Sequence, residues 1–176
     1  MDIRSELEKR YENGLMPRIA RYIGNDQARF DHLMALVFGD EPVAARRASW
    51  VIGHCTERYP HLVRPWLEKL VNSLSRPGLD DSIVRSTVKV LAETDDLPEE
   101  LQGYTLEHCF DLLLNPKTAV AIQVHAMQAI FNISRDEPDL LGELREVIEG
   151  QMEYGSAGFK ARGKRILGEI ARVLKN

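Results

Sequence analysis

The chain has 176 residues, of which 44% are hydrophobic, and its formal net charge is −4. This length suffices for one domain that buries roughly 70% of the surface its unfolded chain exposes, so folding needs no disulfide or metal. Two cysteines are too few for a secreted disulfide scaffold, and the N-terminal stretch MDIRSELEKRYENG is charged where a signal peptide would be apolar. No apolar run approaches the ~18 residues of a membrane span. We therefore expect a cytoplasmic protein with no membrane partner, and the negative charge disfavours nucleic acid as a partner.

Charge is distributed unevenly along the chain. Residues 1–78 carry 12 basic and 10 acidic side chains, residues 79–157 carry 5 and 16, and residues 158–176 carry 6 and 1. The middle of the chain is thus acidic and its end is basic. A run of like charge usually forms a solvated face, so the acidic middle alone assigns no function.

All elements predicted along the chain are helices. Apolar residues recur at helical spacing, and strand-like alternation is rare. Proline, glycine and aspartate interrupt the helical pattern. These breaks fall at residues 39–42, 59–60, 76–78, 97–98, 115–116, 137–138 and 155–158. We interpret the chain as a single repeat domain over residues 1–176, with an N-terminal helical cap at 1–25 and helix pairs at 26–176.

The second helix of each pair repeats one pattern. Four segments superpose when four anchor residues are aligned, with spacings of 39, 40 and 37 residues: Arg46, Arg85, His125 and Arg162. Three further positions are small or apolar in all four segments: one residue before the anchor, five after it and nine after it. The only polar residues among them are Thr94 and Ser134, which are small. These positions fall on one side of a helix, so they predict a buried stripe. Helix pairs repeating about every 40 residues predict an all-α fold, an α-solenoid of about four HEAT-like pairs.

Three segments carry a resemblance to a known group of proteins. ASWVIGHC, AVAIQVHAMQAIFNIS and GSAGFKARGKRILGEI resemble a family of short HEAT- or armadillo-like helical-repeat proteins with no assigned activity. Some relatives are named adenylosuccinate lyase, a name that implies a loop containing Gly-Ser-Ser, Met-Pro, Lys and Asn. The nearest match here, GSAGFK, lacks the second serine, the Met-Pro and the asparagine, so no lyase residue is assigned.

Two histidine–cysteine neighbours are the candidates for nucleophilic catalysis, His54-Cys55 and His108-Cys109. Adjacent helical side chains point roughly 100° apart and do not easily form a thiolate–imidazole pair. Neither HExxH nor paired CxxC occurs, so no metal site is indicated. We predict buried, inert cysteines, no catalytic residue, no cofactor and no metal.

The segment GFKARGKR, residues 158–165, is similar to the start of a phosphate loop. Arg165 stands where such a loop needs Ser or Thr, and the apolar rhythm is that of a helix. The preceding YGSAG can present free backbone N–H groups to an anion, near Lys160, Arg162 and Lys164. The alternative is an ordinary glycine turn before a solvated basic helix.

The anchors face away from the predicted buried stripe. Together with Trp50 and Lys89, which lie four residues after the first two anchors, they define what we call the anchor strip: Arg46, Trp50, Arg85, Lys89, His125 and Arg162. We predict that these six side chains face outward and form one contiguous, exposed strip. A tryptophan beside arginines is typical of protein-interaction hot spots. The resemblance also implies a structural alternative, because an arginine near this position in HEAT-like repeats often bonds neighbouring units.

We expect a non-enzymatic interaction module whose concave surface binds an acidic segment of a partner protein through the anchor strip. One alternative is DNA-lesion recognition resembling that of HEAT-like alkylpurine DNA glycosylases, with Glu57, Asp96 or Asp136 as the carboxylate. The acidic middle argues against it because cationic contacts dominate nucleic-acid affinity. A second alternative is an architectural subunit of a larger complex. The sequence indicates neither the partner's identity nor the oligomeric state.

Overall fold

A computed structural model describes residues 1–175, and this part of the chain is helical with no strand. The α-helices are α1 (Ile3–Glu8), α2 (Leu15–Ile23), α3 (Gln27–Val37), α4 (Pro42–Thr56), α5 (Leu67–Ser73), α6 (Asp81–Glu93), α7 (Glu99–Leu114), α8 (Val120–Ile133), α9 (Pro138–Gln151) and α10 (Ala157–Val173). A 3-10 helix, Pro60–Trp66, precedes α5. The all-α prediction is confirmed, with α1 and α2 as the helical cap and the helix pairs after them.

The chain divides into two compact units, residues 1–90 and the residues from Leu91 on. The boundary falls inside α6. The first unit contains α1 to α5 and most of α6, and the second contains the end of α6 and α7 to α10. That the whole chain forms one domain stays a prediction.

In the first unit, the N-terminal cap packs on α4 through both α1 and α2. Leu7 and Ile19 of the cap are completely buried. Arg47 of α4 reinforces this packing, since its Nη1 donates to the backbone oxygen of Leu7 at 2.7 Å and also to that of Lys9. The last carbonyls of a helix have no partner within the helix, so Arg47 stabilises the end of α1.

The 3-10 helix of the first unit depends on side chains of α3. Pro65 inside Pro60–Trp66 removes a backbone donor that a regular α-helix would use, whereas Pro60 stands at the first position, where no such donor is needed. Trp66 Nε1 donates to Asp31 Oδ1 at 2.7 Å, and Gln27 Nε2 donates to the backbone oxygen of Leu62 at 3.0 Å. These bonds hold the segment against the first helix pair.

In the second unit, α8 packs against α7, α9 and α10. Gln151 Nε2 of α9 donates to the backbone oxygen of Leu113 at the end of α7, at 3.1 Å. The helices α9 and α10 approach closely at Gly163, where an added Cβ would lie 2.9 Å from Ile148 Cγ2 and 3.0 Å from Met152 Sδ. Glycine therefore occupies a contact position of the repeat at this point.

Candidate functional site

The predicted buried stripe exists in the first unit. Five of its residues are buried in α4 and α6: Ala45, Val51, Cys55, Val84 and Val90. The anchors Arg46 and Arg85 are exposed, and Trp50 is half-buried. The outward direction of the first two anchors is thus confirmed.

The alignment of the fourth anchor was wrong by one position. Ala161 and Ala171, predicted to be buried, are exposed. The buried residues of α10 are Phe159, Gly163, Ile166 and Ile170. These residues have the same spacing as the buried residues Ala44, Ala48, Val51 and Cys55 of α4, so Phe159 aligns with Ala44. Arg162 therefore corresponds to Arg47, one position beyond the anchor.

Arg46 forms a bond between neighbouring helices. Its Nε lies 3.0 Å from Asp80 Oδ2, directly before α6, and the two side chains are 46% and 35% exposed. Solvent screens a pair of this exposure, so it contributes little to stability. The contact is nevertheless the structural role that the sequence left open for an anchor arginine, and it neutralises the charge of Arg46.

Trp50 is partly covered by the N-terminal cap. Its indole meets Tyr11 edge to face, with ring centroids 6.2 Å apart and an interplanar angle of 86°. Its Nε1 is buried and has no hydrogen-bond partner in the described chain. The expectation of a fully outward tryptophan was wrong, because Trp50 is half-buried against the N-terminal cap. Trp50 and the half-exposed Tyr11 together form an aromatic edge.

Lys89 and Arg85 lie on α6 beside α4. Lys89 Nζ is 3.7 Å from Glu57 Oε1, and an added Cβ at Gly53 would lie 3.4 Å from the same nitrogen. Arg85 precedes Lys89 by about one turn, is exposed, and forms no ion pair with any described residue. Arg85 is therefore a cation of the anchor strip whose charge is not compensated by a carboxylate.

The two anchors of the second unit are half-buried. Arg162 Nη1 donates to Gln128 Oε1 of α8 at 3.1 Å, which joins α10 to α8. His125 also has an interaction partner. The prediction of a fully exposed strip was therefore wrong for four residues: Trp50, Lys89, His125 and Arg162. Their participation in binding stays a prediction.

An acidic groove of about 620 Å³ lies in the second unit, at the ends of α6 and α8. Its charged lining consists of four carboxylates and one arginine: Asp95, Asp96, Asp136, Glu137 and Arg135. Two of the carboxylates considered for lesion recognition, Asp96 and Asp136, thus share one groove. No aromatic side chain lines this groove. It therefore lacks an aromatic surface on which a base could stack.

The cysteines are buried, one in each unit, at 1% exposure for Cys55 and 0% for Cys109. Burial raises the pKa of each thiol to about 12, because an apolar environment disfavours the thiolate. His54, next to Cys55, is exposed, so the two side chains point to different surroundings. This geometry offers no activated thiol.

Residues 1–175 are the described part of the chain. No cluster of three His, Cys, Asp or Glu side chains in this range has the arrangement of a metal site. No helix within it is both long enough and apolar enough to span a membrane.

The glycine-rich turn before α10 is capped by its own serine. Ser156 Oγ accepts a hydrogen bond from the backbone N–H of Phe159 at 3.3 Å. One of the N–H groups that an anion would use is therefore occupied, as in an ordinary helix start.

Comparison with known proteins places the chain among helical repeats. A family model described as HEAT repeat domain matches residues 3–170. Among solved structures, the crystal structure of an engineered protein is similar at a TM-score of 0.61 and 15% sequence identity, covering 97% of this chain and 78% of that one. This likeness concerns the fold alone. No curated protein matches the sequence significantly.

Proposed function

Because the chain belongs to the HEAT repeat family, we propose that it is a protein-interaction module that binds an acidic segment of a partner protein through the anchor-strip residues of the first unit. Stacked helical repeats commonly serve as extended binding surfaces. The fold is of a scaffold type, and the residues described above contain no activated nucleophile. We therefore propose a function in binding rather than in catalysis.

The exposed, uncompensated charge of Arg85 is the observation that carries this proposal. Some other arginines of the same unit are engaged, as Arg46 is with Asp80 and Arg18 is with Glu6 at 2.9 Å. An arginine without a carboxylate partner loses no existing ion pair when it binds one. Its planar guanidinium can then form a bidentate contact with an aspartate or glutamate of the partner.

The neighbourhood of Arg85 supplies apolar contact area. Ser86 Oγ lies 3.4 Å from Ser49 Oγ, so Arg85 and Trp50, which adjoin these serines, lie on neighbouring turns of α6 and α4. Trp50 and Tyr11 offer aromatic surface in the same unit. Aromatic and arginine side chains in combination are enriched among residues that dominate binding energy.

DNA-lesion recognition receives less support than protein binding. The groove that contains Asp96 and Asp136 carries mainly negative charge and no aromatic lining. Phosphate groups would be repelled there. The alternative of an architectural subunit rests on no particular residue. A cytoplasmic location is part of our proposal, since free cysteines such as Cys55 and Cys109 persist in reducing compartments.

Binding of acidic peptides tests the proposal. We would screen an array of Asp- and Glu-rich peptides, some containing aromatic residues, and measure the best binders by fluorescence anisotropy at low and moderate salt. We expect Arg85→Glu to weaken binding by about tenfold or more, because it replaces an attractive contact with a repulsive one. The matched control is Arg76→Glu, at another exposed arginine of the same unit that forms no ion pair within residues 1–175.

Thermal unfolding must accompany the binding measurement. Within residues 1–175 the Arg85 side chain forms no hydrogen bond or ion pair that its substitution would remove, so the melting temperature of Arg85→Glu should stay close to that of wild type. The proposal fails if Arg85→Glu and Arg76→Glu bind all acidic peptides equally well, or if no acidic peptide binds the wild-type protein. Trp50→Ala is unsuitable as the decisive variant because it also removes the contact with Tyr11.

A further inference from the structure

A second surface feature lies in the first unit, where α2 packs on the C-terminal end of α4. It is a pocket of about 190 Å³. Pro17 and Ala20 of α2 supply part of its apolar lining. Its polar side chains come from both helices and from the turn after α4: Arg21, His54, Arg58 and Tyr59. None of these side chains belongs to the anchor strip.

The charge in this pocket is of one sign. No carboxylate lines it, and neither Arg21 nor Arg58 forms an ion pair with any residue from 1 to 175. Several other exposed arginines of the unit are paired with carboxylates. Arg18 contacts both Glu6 and Glu12 at 2.9 Å, and Arg29 contacts Asp26 at 3.3 Å. The arginines that converge on the pocket are thus left with open hydrogen-bonding capacity.

Position at a helix end explains only part of this arrangement. A cationic side chain near a helix C-terminus interacts favourably with the helix dipole, which accounts for Arg21 and for Arg58 taken singly. It does not require the two side chains to meet in one concavity together with His54. Arg58 also lies over the ring of Tyr59, 5.9 Å from its centroid. Tyr59 also lines the pocket, so this contact lies at its edge.

We propose that Arg21, His54 and Arg58 bind the phosphate group of a phosphomonoester. Two guanidinium groups can each donate two hydrogen bonds to a tetrahedral oxyanion, and an imidazole N–H can donate one more. A dianion matches the charge of two arginines, whereas a carboxylate would engage only one of them fully. The pocket has room for a phosphate group. This site goes beyond the proposed interaction function, because it uses other residues and a ligand of another kind.

Titration with inorganic phosphate tests the site. We would follow the backbone amide signals of Gly24 and Tyr59 by two-dimensional NMR at constant ionic strength, with acetate as the carboxylate comparison. Phosphate should produce saturable shifts of both signals, and acetate should bind at least about tenfold more weakly, since it can engage one arginine fork fully. Arg21→Gln and Arg58→Gln should each weaken phosphate binding by about tenfold or more, for the loss of one charge-assisted contact.

The control variant is Arg76→Gln, which removes the same charge at an exposed site away from the pocket and should leave the titration unchanged. A phosphoserine peptide and glucose 6-phosphate distinguish a protein-borne phosphate from a metabolite, and either one binding more tightly than inorganic phosphate supports the site. Shifts that do not saturate, or that are equally reduced in Arg58→Gln and Arg76→Gln, would overturn the proposal. Unfolding curves of each variant show whether a loss of binding reflects a loss of structure.

Discussion

The two units of the chain handle charge in opposite ways. The first unit is nearly balanced, with 14 basic and 12 acidic side chains, whereas the residues from Leu91 on include 9 basic and 15 acidic ones. In the first unit many arginines are tied to carboxylates or backbone carbonyls, and a few converge without a partner. In the second unit four of the carboxylates line one groove together with one arginine. Local pairing, rather than the net count, therefore decides which charge is available to a ligand.

Thiol labelling compares the units most directly, because each contains one cysteine. Burial raises the pKa of Cys55 and Cys109 to about 12 from the ordinary value of 9.0, so at about pH 8 the thiolate fraction is lower by a factor of about a thousand. We expect the single-cysteine variants Cys55→Ala and Cys109→Ala to react with a disulfide reagent at least about a hundredfold more slowly when folded than in denaturant. Rapid labelling of one folded variant would show that its unit opens far more readily.

The same thiols predict a pH dependence of stability. Each folded thiol keeps its proton above pH 9.0, where the thiol of the unfolded chain has lost it. The contribution of each thiol to the free energy of unfolding is therefore complete below pH 9.0 and is lost as the pH rises towards about 12. Urea unfolding of wild type and of the double variant lacking both cysteines should show the steeper alkaline loss in wild type.

Glycine substitutions in α10 probe the packing of the second unit. Gly163→Ala should lower the free energy of unfolding by about 1–3 kcal/mol, because the new methyl group would overlap Ile148 and Met152. Gly168→Ala on the same helix has open space around it and should raise that free energy by about 0.5–1 kcal/mol through helix propensity. Urea unfolding measures both. Equal effects would mean that α9 and α10 are not in close contact at Gly163.

The smallest expected effect concerns the ion pair of Arg46 with Asp80. Arg46→Gln should lower the free energy of unfolding by less than about 1 kcal/mol, and added salt should reduce the difference, because the pair is half-exposed. Arg85→Gln, which breaks no ion pair, should leave stability unchanged. A loss of stability in Arg85→Gln comparable to that in Arg46→Gln would assign Arg85 a structural role and weaken the interaction proposal.

The helices could be predicted because their signals are local. Proline and glycine breaks and the apolar period are visible within one helix, and the stripe through Ala45, Val51 and Cys55 is buried as expected. The same method misaligned α10, since Gly163 gives no hydrophobic signal although it packs against α9. Arg162 was then matched to Arg46 because Ala161, Leu167 and Ala171 fit the small or apolar positions around an anchor.

The surface could be predicted only in part, because its pairing depends on residues far apart in the chain. Arg46 and Asp80 are 34 positions apart, and nothing near Arg46 in the sequence indicates that its charge is compensated. Likewise, the covering of Trp50 by Tyr11 follows from the position of the N-terminal cap. The convergence of Arg21 with Arg58 depends on how α2 packs against α4. Sequence periodicity indicates the direction in which a side chain points from its helix, but contacts between helices decide how exposed that side chain is.

The 3-10 helix Pro60–Trp66 has a consequence for local unfolding. Two side chains of α3, Asp31 and Gln27, supplement its backbone bonds, which are of the short 3-10 type. Segments held in this way open at a lower free energy than the helices around them. The 3-10 helix, which leads into α5, is therefore the segment of the first unit where we expect a protease to cleave first. Fraying of α3 would release the 3-10 helix at the same time.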